Sequence, residues 1–221
     1  MKRRLNILCL IVVLVLSYSV LETGYYFFIG AKAGVEAVTE SKTNLSAKAE
    51  IMNMKYVSLV PHSFSLSGGN FFNDSVYNEK SGAYLPAIYS SMVVSVDSKP
   101  TVWESITDKV LNFLQLIMYV WAIVLFIRLI ISINKSDIFK WRNVRRLRRM
   151  GIALIIGFCC TFITAYLNLC SVEKVFSLRG YELGISDMVS TTMLVLGLSA
   201  LIVAEVFAIG LKMKEEQDLT I

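Results

Sequence analysis

Four long apolar runs, separated by polar stretches of very unequal length, organise the chain. The first begins near Leu5, passes Leu21 and extends through Tyr25 to Ile29; the others run from Val110 to Ile133, Met150 to Leu169 and Met188 to Leu211. Each is about 20 residues or longer, and at 1.5 Å per residue such a helix covers the roughly 30 Å hydrocarbon core of a bilayer. Backbone groups in lipid must bond within their own segment, so these runs predict membrane-crossing helices. The expected fold is an all-α four-helix transmembrane bundle, with spans over residues 1–29, 110–133, 150–169 and 188–211.

The long interruption, residues 30–109, has a different texture. Ala31 to Glu50 is rich in Ala, Glu and Lys and predicts a continuation of the first helix above the membrane. Residues 51–67 and 84–97 alternate or run apolar with Tyr, Val, Phe and Ile, and Gly68, Gly69 and Asn70 punctuate them, which predicts strands. A small extracytoplasmic α+β insertion between helices 1 and 2 is therefore expected. Residues 170–187 read as a short outer connector and 212–221 as a tail.

Composition agrees with the spans: 55% of residues are hydrophobic and the mean hydropathy is +0.60, well above a soluble domain of this size. The net charge of +5 is not spread evenly. The connector 134–149 holds Lys135, Lys140, Arg142, Arg145, Arg146, Arg148 and Arg149 against the single acid Asp137. Loops this basic stay in the cytoplasm. Lys2, Arg3 and Arg4 before the first span, and Lys212 and Lys214 after the last, place both termini on that same side. Residues 30–109 then lie outside; with seven lysines, no arginine and eight acids they are balanced, and long segments cross largely regardless of charge. A cleaved signal peptide is the alternative for the amino end, given its charged start and the small residues Ser17 and Ser19. The length of the run and the aromatic belt Tyr25, Tyr26, Phe27 and Phe28 favour a retained helix.

The basic connector can itself be helical, with Ser136 or Asp137 as cap and Ile138, Trp141, Val144 and Leu147 along one side. That predicts an interfacial helix whose Lys140, Arg142, Arg145, Arg146, Arg148 and Arg149 meet lipid phosphate, each cation contributing about 1 kcal/mol near an anionic surface. Anionic headgroups are the expected partner. Direct nucleic-acid binding is not expected, because no stacking or recognition module accompanies the charge. The tail residues Glu215, Glu216 and Asp218 lie on the same side and face either the connector or a cytoplasmic protein.

Ionisable groups inside spans are costly and therefore candidates for function. Glu22, Arg128 and Glu205 are the three here. Arg128 and Glu205 both lie roughly 8–9 Å in from the cytoplasmic ends of their spans, so they form a candidate ion pair. The alternative has Arg128 snorkelling to phosphate and Glu205 protonated or facing water. Glu22 shares an outer depth with Asn112, Gln115, Asn168 and Thr191, a candidate polar layer whose plain role is helix glue and whose sharper one is a small ligand or ion site. Gly197, Ala200, Ala204 and Ala208 form a small-residue stripe on the fourth span, next to Glu205.

Little chemistry is encoded beyond this. His62 is the one histidine, and of the four cysteines Cys9, Cys159 and Cys160 fall in apolar runs while Cys170 alone cannot close an internal disulfide. No metal, cofactor or enzymatic reaction is expected, since no nucleophile and base pair, carboxylate cluster with histidine or phosphate-cradling glycine loop is present.

The stretch LIVAEVFAIGLKMKEEQDLTI, Leu201 to Ile221, and the connector DIFKWRNVRRLRRMG, Asp137 to Gly151, resemble a bacterial family of small four-helix membrane proteins known as a domain of unknown function, the DUF2975 type. The resemblance spans helices two to four. It implies a four-pass protein of the bacterial cytoplasmic membrane, often encoded beside a small helix-turn-helix regulator. Glu205, Glu215, Glu216, Asp218 and Leu219 match the family pattern, which brings no catalytic residues with it. A membrane sensor or regulatory partner of a cytoplasmic protein is the first functional expectation. An oligomeric transporter or permeability component using the intramembrane polar groups is the alternative, and a homo-oligomer fits either.

Overall fold

The computed structural model describes residues 2–40, 53–62, 72, 74–98, 100–135 and 140–219. The expected cap at Ser136 or Asp137, the Gly68 to Asn70 break and the end of the helical continuation toward Glu50 lie outside them. In chain order come α1 (Lys2–Glu40), β1 (Met54–Pro61), β2 (Asp74–Asn78), β3 (Ala83–Ala87), β4 (Ser91–Ser95), α2 (Val102–Asn134), α3 (Trp141–Glu173), β5 (Tyr181–Gly184) and α4 (Thr192–Asp218). Among the described residues, four helices are long and apolar enough to cross a membrane, and a small sheet region accompanies them. The chain divides into a helical unit, Met1–Asn44, Phe113–Cys159 and Thr191–Ile221, and a sheet-bearing unit, Leu45–Asn112 and Cys160–Ser190.

The helices outrun the apolar segments that predict them. A 33-residue helix such as α2 or α3 is about 50 Å long, well beyond the hydrocarbon core. α2 begins at Val102 rather than Val110 because Thr101 and Glu104 form the start of a helix: the Glu104 carboxylate accepts the Thr101 backbone N–H at 2.8 Å, as in a capping box. α3 begins at Trp141, so the second half of the basic connector is helix: Arg142, Arg145, Arg146, Arg148 and Arg149 stand on the opening turns of the same helix that carries the third apolar run, while Lys135 and Lys140 lie outside it. Arg and Leu are strong helix formers, and neither Gly nor Pro interrupts the sequence from Trp141 to Met150. Hydroxyls on the apolar helices bond within their own turn: Ser17 to the Val13 carbonyl, Thr23 to Ser19 and Ser199 to Val195. The described side chains of α1 are exposed throughout, an apolar surface suited to lipid.

Within the helical unit, α3 and α4 run antiparallel and touch at backbone level. A Cβ on Gly151 would sit 2.7 Å from the Gly197 carbonyl oxygen, and one on Gly197 would sit 2.8 Å from Ile155. Only glycine permits this approach. From there the seam continues through Val144 and Leu147 of α3 against Ala204, Ala208 and Leu211 of α4, with Leu129 of α2 packed alongside. All four members of the small-residue stripe, Gly197, Ala200, Ala204 and Ala208, are buried. α2 meets α3 at Gly157, where a Cβ would come within 2.6 Å of the Tyr119 ring.

In the sheet-bearing unit, β1 is the centre of a three-stranded antiparallel sheet in the order β4-β1-β5, and β2 and β3 form a separate hairpin. The strands expected near 51–67 and 84–97 correspond to β1, β3 and β4. β5 corrects the expected insertion: it comes from the connector between α3 and α4, pairing Ser58 with Gly184 through Pro61 with Tyr181, so the sheet is not built from residues 30–109 alone. Val57 and Leu59 pack with Val172 at the end of α3 and with Tyr181. The Tyr181 hydroxyl donates to Asp74 Oδ2 at 2.7 Å and accepts the Tyr89 backbone N–H at 3.3 Å, which ties the hairpin to the sheet. Burial, and then the bond to Asp74, push this phenol above its ordinary pKa.

Two measurements check these contacts. Thermal unfolding of the detergent-solubilised protein should show Gly151→Ala losing stability, because overpacking costs about 1–3 kcal/mol against a helix-propensity gain of about 1 kcal/mol. Gly210→Ala, where a Cβ meets nothing within 4 Å, should gain slightly; equal behaviour of the two variants would contradict the close crossing. Tyr181→Phe should cost about 1–2 kcal/mol. Because the folded-state phenol titrates above its unfolded value, its contribution is complete below the ordinary tyrosine pKa and is lost as pH rises through the folded one. The variant should lack that alkaline fall in an unfolding series against pH.

Candidate functional site

The opening turns of α3 present a different chemistry on each side. Val144 and Leu147, three residues apart, are buried against α4. Trp141 and Arg148, seven residues apart and therefore on one face, both reach acids of α4. The Trp141 indole N–H donates to Glu215 Oε1 at 2.6 Å. Arg148 grips Glu205 with two parallel bonds, Nε to Oε1 and an Nη to Oε2, each 2.9 Å. The fork geometry of guanidinium on carboxylate fixes the orientation of both side chains. On the side toward α2, Arg146 donates to the Arg128 carbonyl oxygen at 3.0 Å and to Asn143 Oδ1 at 3.2 Å.

Between the end of α2 and the start of α3 lies a basic cleft made of two adjoining hollows of about 320 and 520 Å³. Arg128, Arg142 and Arg146 border both. Arg145, Arg149 and Leu125 complete the first, and Lys135, Lys140, Ile131 and Ser132 the second. None of the described lining residues is acidic.

These positions correct the expected pair. Glu205 is held by Arg148 and not by Arg128, which instead borders the cleft. Arg148, expected on lipid phosphate, is turned toward α4, while Lys140, Arg142, Arg145, Arg146 and Arg149 surround the cleft. The expected interfacial helix is altered too, since Val144 and Leu147 pack inside the protein rather than into lipid. Of the tail acids, Glu215 meets the connector, Glu216 is exposed with a partner of its own, and Asp218 is exposed at the end of α4. Of the expected outer layer, Glu22, Gln115 and Thr191 belong to the helical unit and Asn112 and Asn168 to the sheet-bearing unit. Asn112 donates to the Asp108 carbonyl and Gln115 to the Tyr119 hydroxyl, each one turn along α2; Glu22 and Thr191 are exposed and Asn168 is half-buried. The Trp141–Glu215 bond is one form of the expected tail-to-connector contact, but the indole donor carries no signal in the sequence, because an aromatic on an apolar stripe reads as packing.

Charge reversal tests the pairing. Glu205→Arg alone should lower the amount of folded protein in membranes several-fold, since an unpaired charge within an apolar helix is costly. Adding Arg148→Glu should restore it, whereas adding Arg128→Glu should not. Rescue by the Arg128 reversal instead would reinstate the pair expected from depth.

No curated protein and no solved structure matches the chain. One family profile does, described as "Protein of unknown function (DUF2975)", over residues 72–221, which takes in α2, α3, β5 and α4 together with the α3 and α4 residues just placed; by that match the chain belongs to the DUF2975 family.

Proposed function

We propose that this chain is a four-pass protein of the bacterial cytoplasmic membrane that acts as a regulatory partner of a cytoplasmic protein, and not as an enzyme. The observation that carries this is the Trp141–Glu215 bond together with the Arg148–Glu205 fork. Through them the end of α4 and the start of α3 are held as one surface, on which cations of α3 lie beside exposed acids of the tail. A pre-ordered surface of mixed charge suits a protein partner, because less side-chain freedom is lost on binding. The positive-inside bias of the same residues supports a cytoplasmic position for it, with residues 30–109 across the membrane.

The transport alternative drew on a polar layer shared between helices. Asn112 and Gln115 each spend one amide N–H on a bond within α2, whereas the contacts between α3 and the tail are made between helices, and we favour regulation on that ground.

Two outcomes are expected. Alkaline phosphatase fused after residue 100 should be active and a fusion after residue 221 inactive; the reverse pattern would invert the topology. Affinity purification from native membranes should recover a cytoplasmic protein with the full chain and lose most of it when residues 212–221 are removed or when Glu215→Lys is introduced. Recovery independent of the tail would count against the tail as the docking surface.

A further inference from the structure

The cleft between α2 and α3 concentrates like charge among its described lining residues. Arg128, Arg142 and Arg146 are shared by its two hollows, so the basic surface is continuous, and no described lining residue is acidic. Two acids that reach α3, Glu205 and Glu215, are engaged on its α4 side by Arg148 and Trp141. Helix polarity sharpens the imbalance. The first turn of α3 contains no acid, so the cations stand at the positive end of the helix dipole, where an anion is favoured and a cation is not. The last turn of α2, where cations would be welcome, contains none.

The cleft is also partly pre-organised. Arg146 is fixed by its bonds to the Arg128 carbonyl and to Asn143, and Arg128 and Arg142 stand on either helix with exposed side chains. Guanidinium groups fork onto phosphate oxygens, and several of them on one concave surface match a group carrying two or more negative charges. The larger hollow has the volume of an ordinary small-ligand site, and Leu125 and Ile131 give the cleft an aliphatic side.

We propose that this cleft is a binding site for a multiply charged phosphate group, a phosphomonoester or diphosphate, held by Arg128, Arg142 and Arg146. Two sources supply that chemistry: the headgroup of an anionic lipid and a soluble diphosphate. Such a site stands whether or not the tail recruits a protein.

The test uses the full chain in phosphatidylcholine nanodiscs at fixed ionic strength, with the unfolding midpoint as readout. One arm titrates pyrophosphate; the other replaces part of the phosphatidylcholine with phosphatidic acid. Wild type should be stabilised in at least one arm. A response to pyrophosphate identifies a soluble source, and a response to phosphatidic acid alone identifies a lipid headgroup. Arg128→Gln with Arg142→Gln should raise the concentration needed by about 30-fold, about fivefold for each cation removed. Lys212→Gln with Lys214→Gln, changes outside the cleft, should behave as wild type. Without added anion the arginine variant should be at least as stable as wild type, because repulsion has been relieved. A variant that is less stable without anion, one that responds as wild type does, or a wild type that gains nothing in either arm would overturn the proposal.

Discussion

The close approach of α3 and α4 at Gly151 and Gly197 is the constraint on which the basic end of the protein depends. With no Cβ on either residue the two backbones come into contact, and a side chain on Gly151 would have to displace a backbone carbonyl as well as the Leu201 side chain. Once that crossing is fixed, the antiparallel run of the helices decides what meets what. Val144 and Leu147 fall on Ala204, Ala208 and Leu211, Arg148 falls within two hydrogen bonds of Glu205, and Trp141 reaches Glu215. Small residues on α4 and long ones on α3 are thus one design, in which alanines give the room that the basic helix needs to lie close.

An apolar face can be buried only once. Because Val144 and Leu147 pack against α4, the opening turns of α3 cannot also sink that stripe into the headgroup region as a free amphipathic helix would. The cations are then sorted by helical phase: Arg148 toward α4, Arg146 toward α2, and Arg142, Arg145 and Arg149 around the cleft. A segment that reads as one uniform basic run therefore performs at least two tasks, a structural clamp and a basic hollow.

The same phase explains how far the sequence could be read. Span number, approximate placement and the buried stripe Gly197, Ala200, Ala204 and Ala208 follow from run length and three-to-four spacing, which are local properties. Glu205 could be recognised as needing a cation, but depth alone does not say which one. Arg128 lies at the matching depth in its own span, yet Arg148 is the one that faces Glu205, and that depends on α3 starting at Trp141 rather than at Met150 and on its rotation about its axis. Arg148 consequently takes the partner that depth suggested for Arg128, and Arg128 borders the cleft. β5 was illegible for a different reason: four residues, Tyr-Glu-Leu-Gly, are too few to show a period, and they become a strand only because β1 offers an open edge.

That edge also imposes an order on assembly. β1 pairs on one side with β4, a nearby partner in sequence, and on the other with β5, which lies beyond both α2 and α3. Val172, in the last turn of α3, belongs to the same core as Val57 and Leu59. Until α3 is in place, one edge of β1 has no partner and the apolar side chains around Val57 lack part of their cover, the condition in which strands pair with the wrong neighbour. Pairing across so long a stretch of chain is slow because the closure entropy precedes the gain in contacts. The loop entering β5 shortens the final step: Gly180 adopts a positive φ of 85° immediately before the strand, and its carbonyl accepts the His62 N–H, so the turn that delivers Tyr181 is itself bonded to the end of β1. Completion of the sheet thus waits on the end of α3, and Tyr181 closes both the sheet core, with Val57, Leu59 and Val172, and the hairpin contact at Asp74.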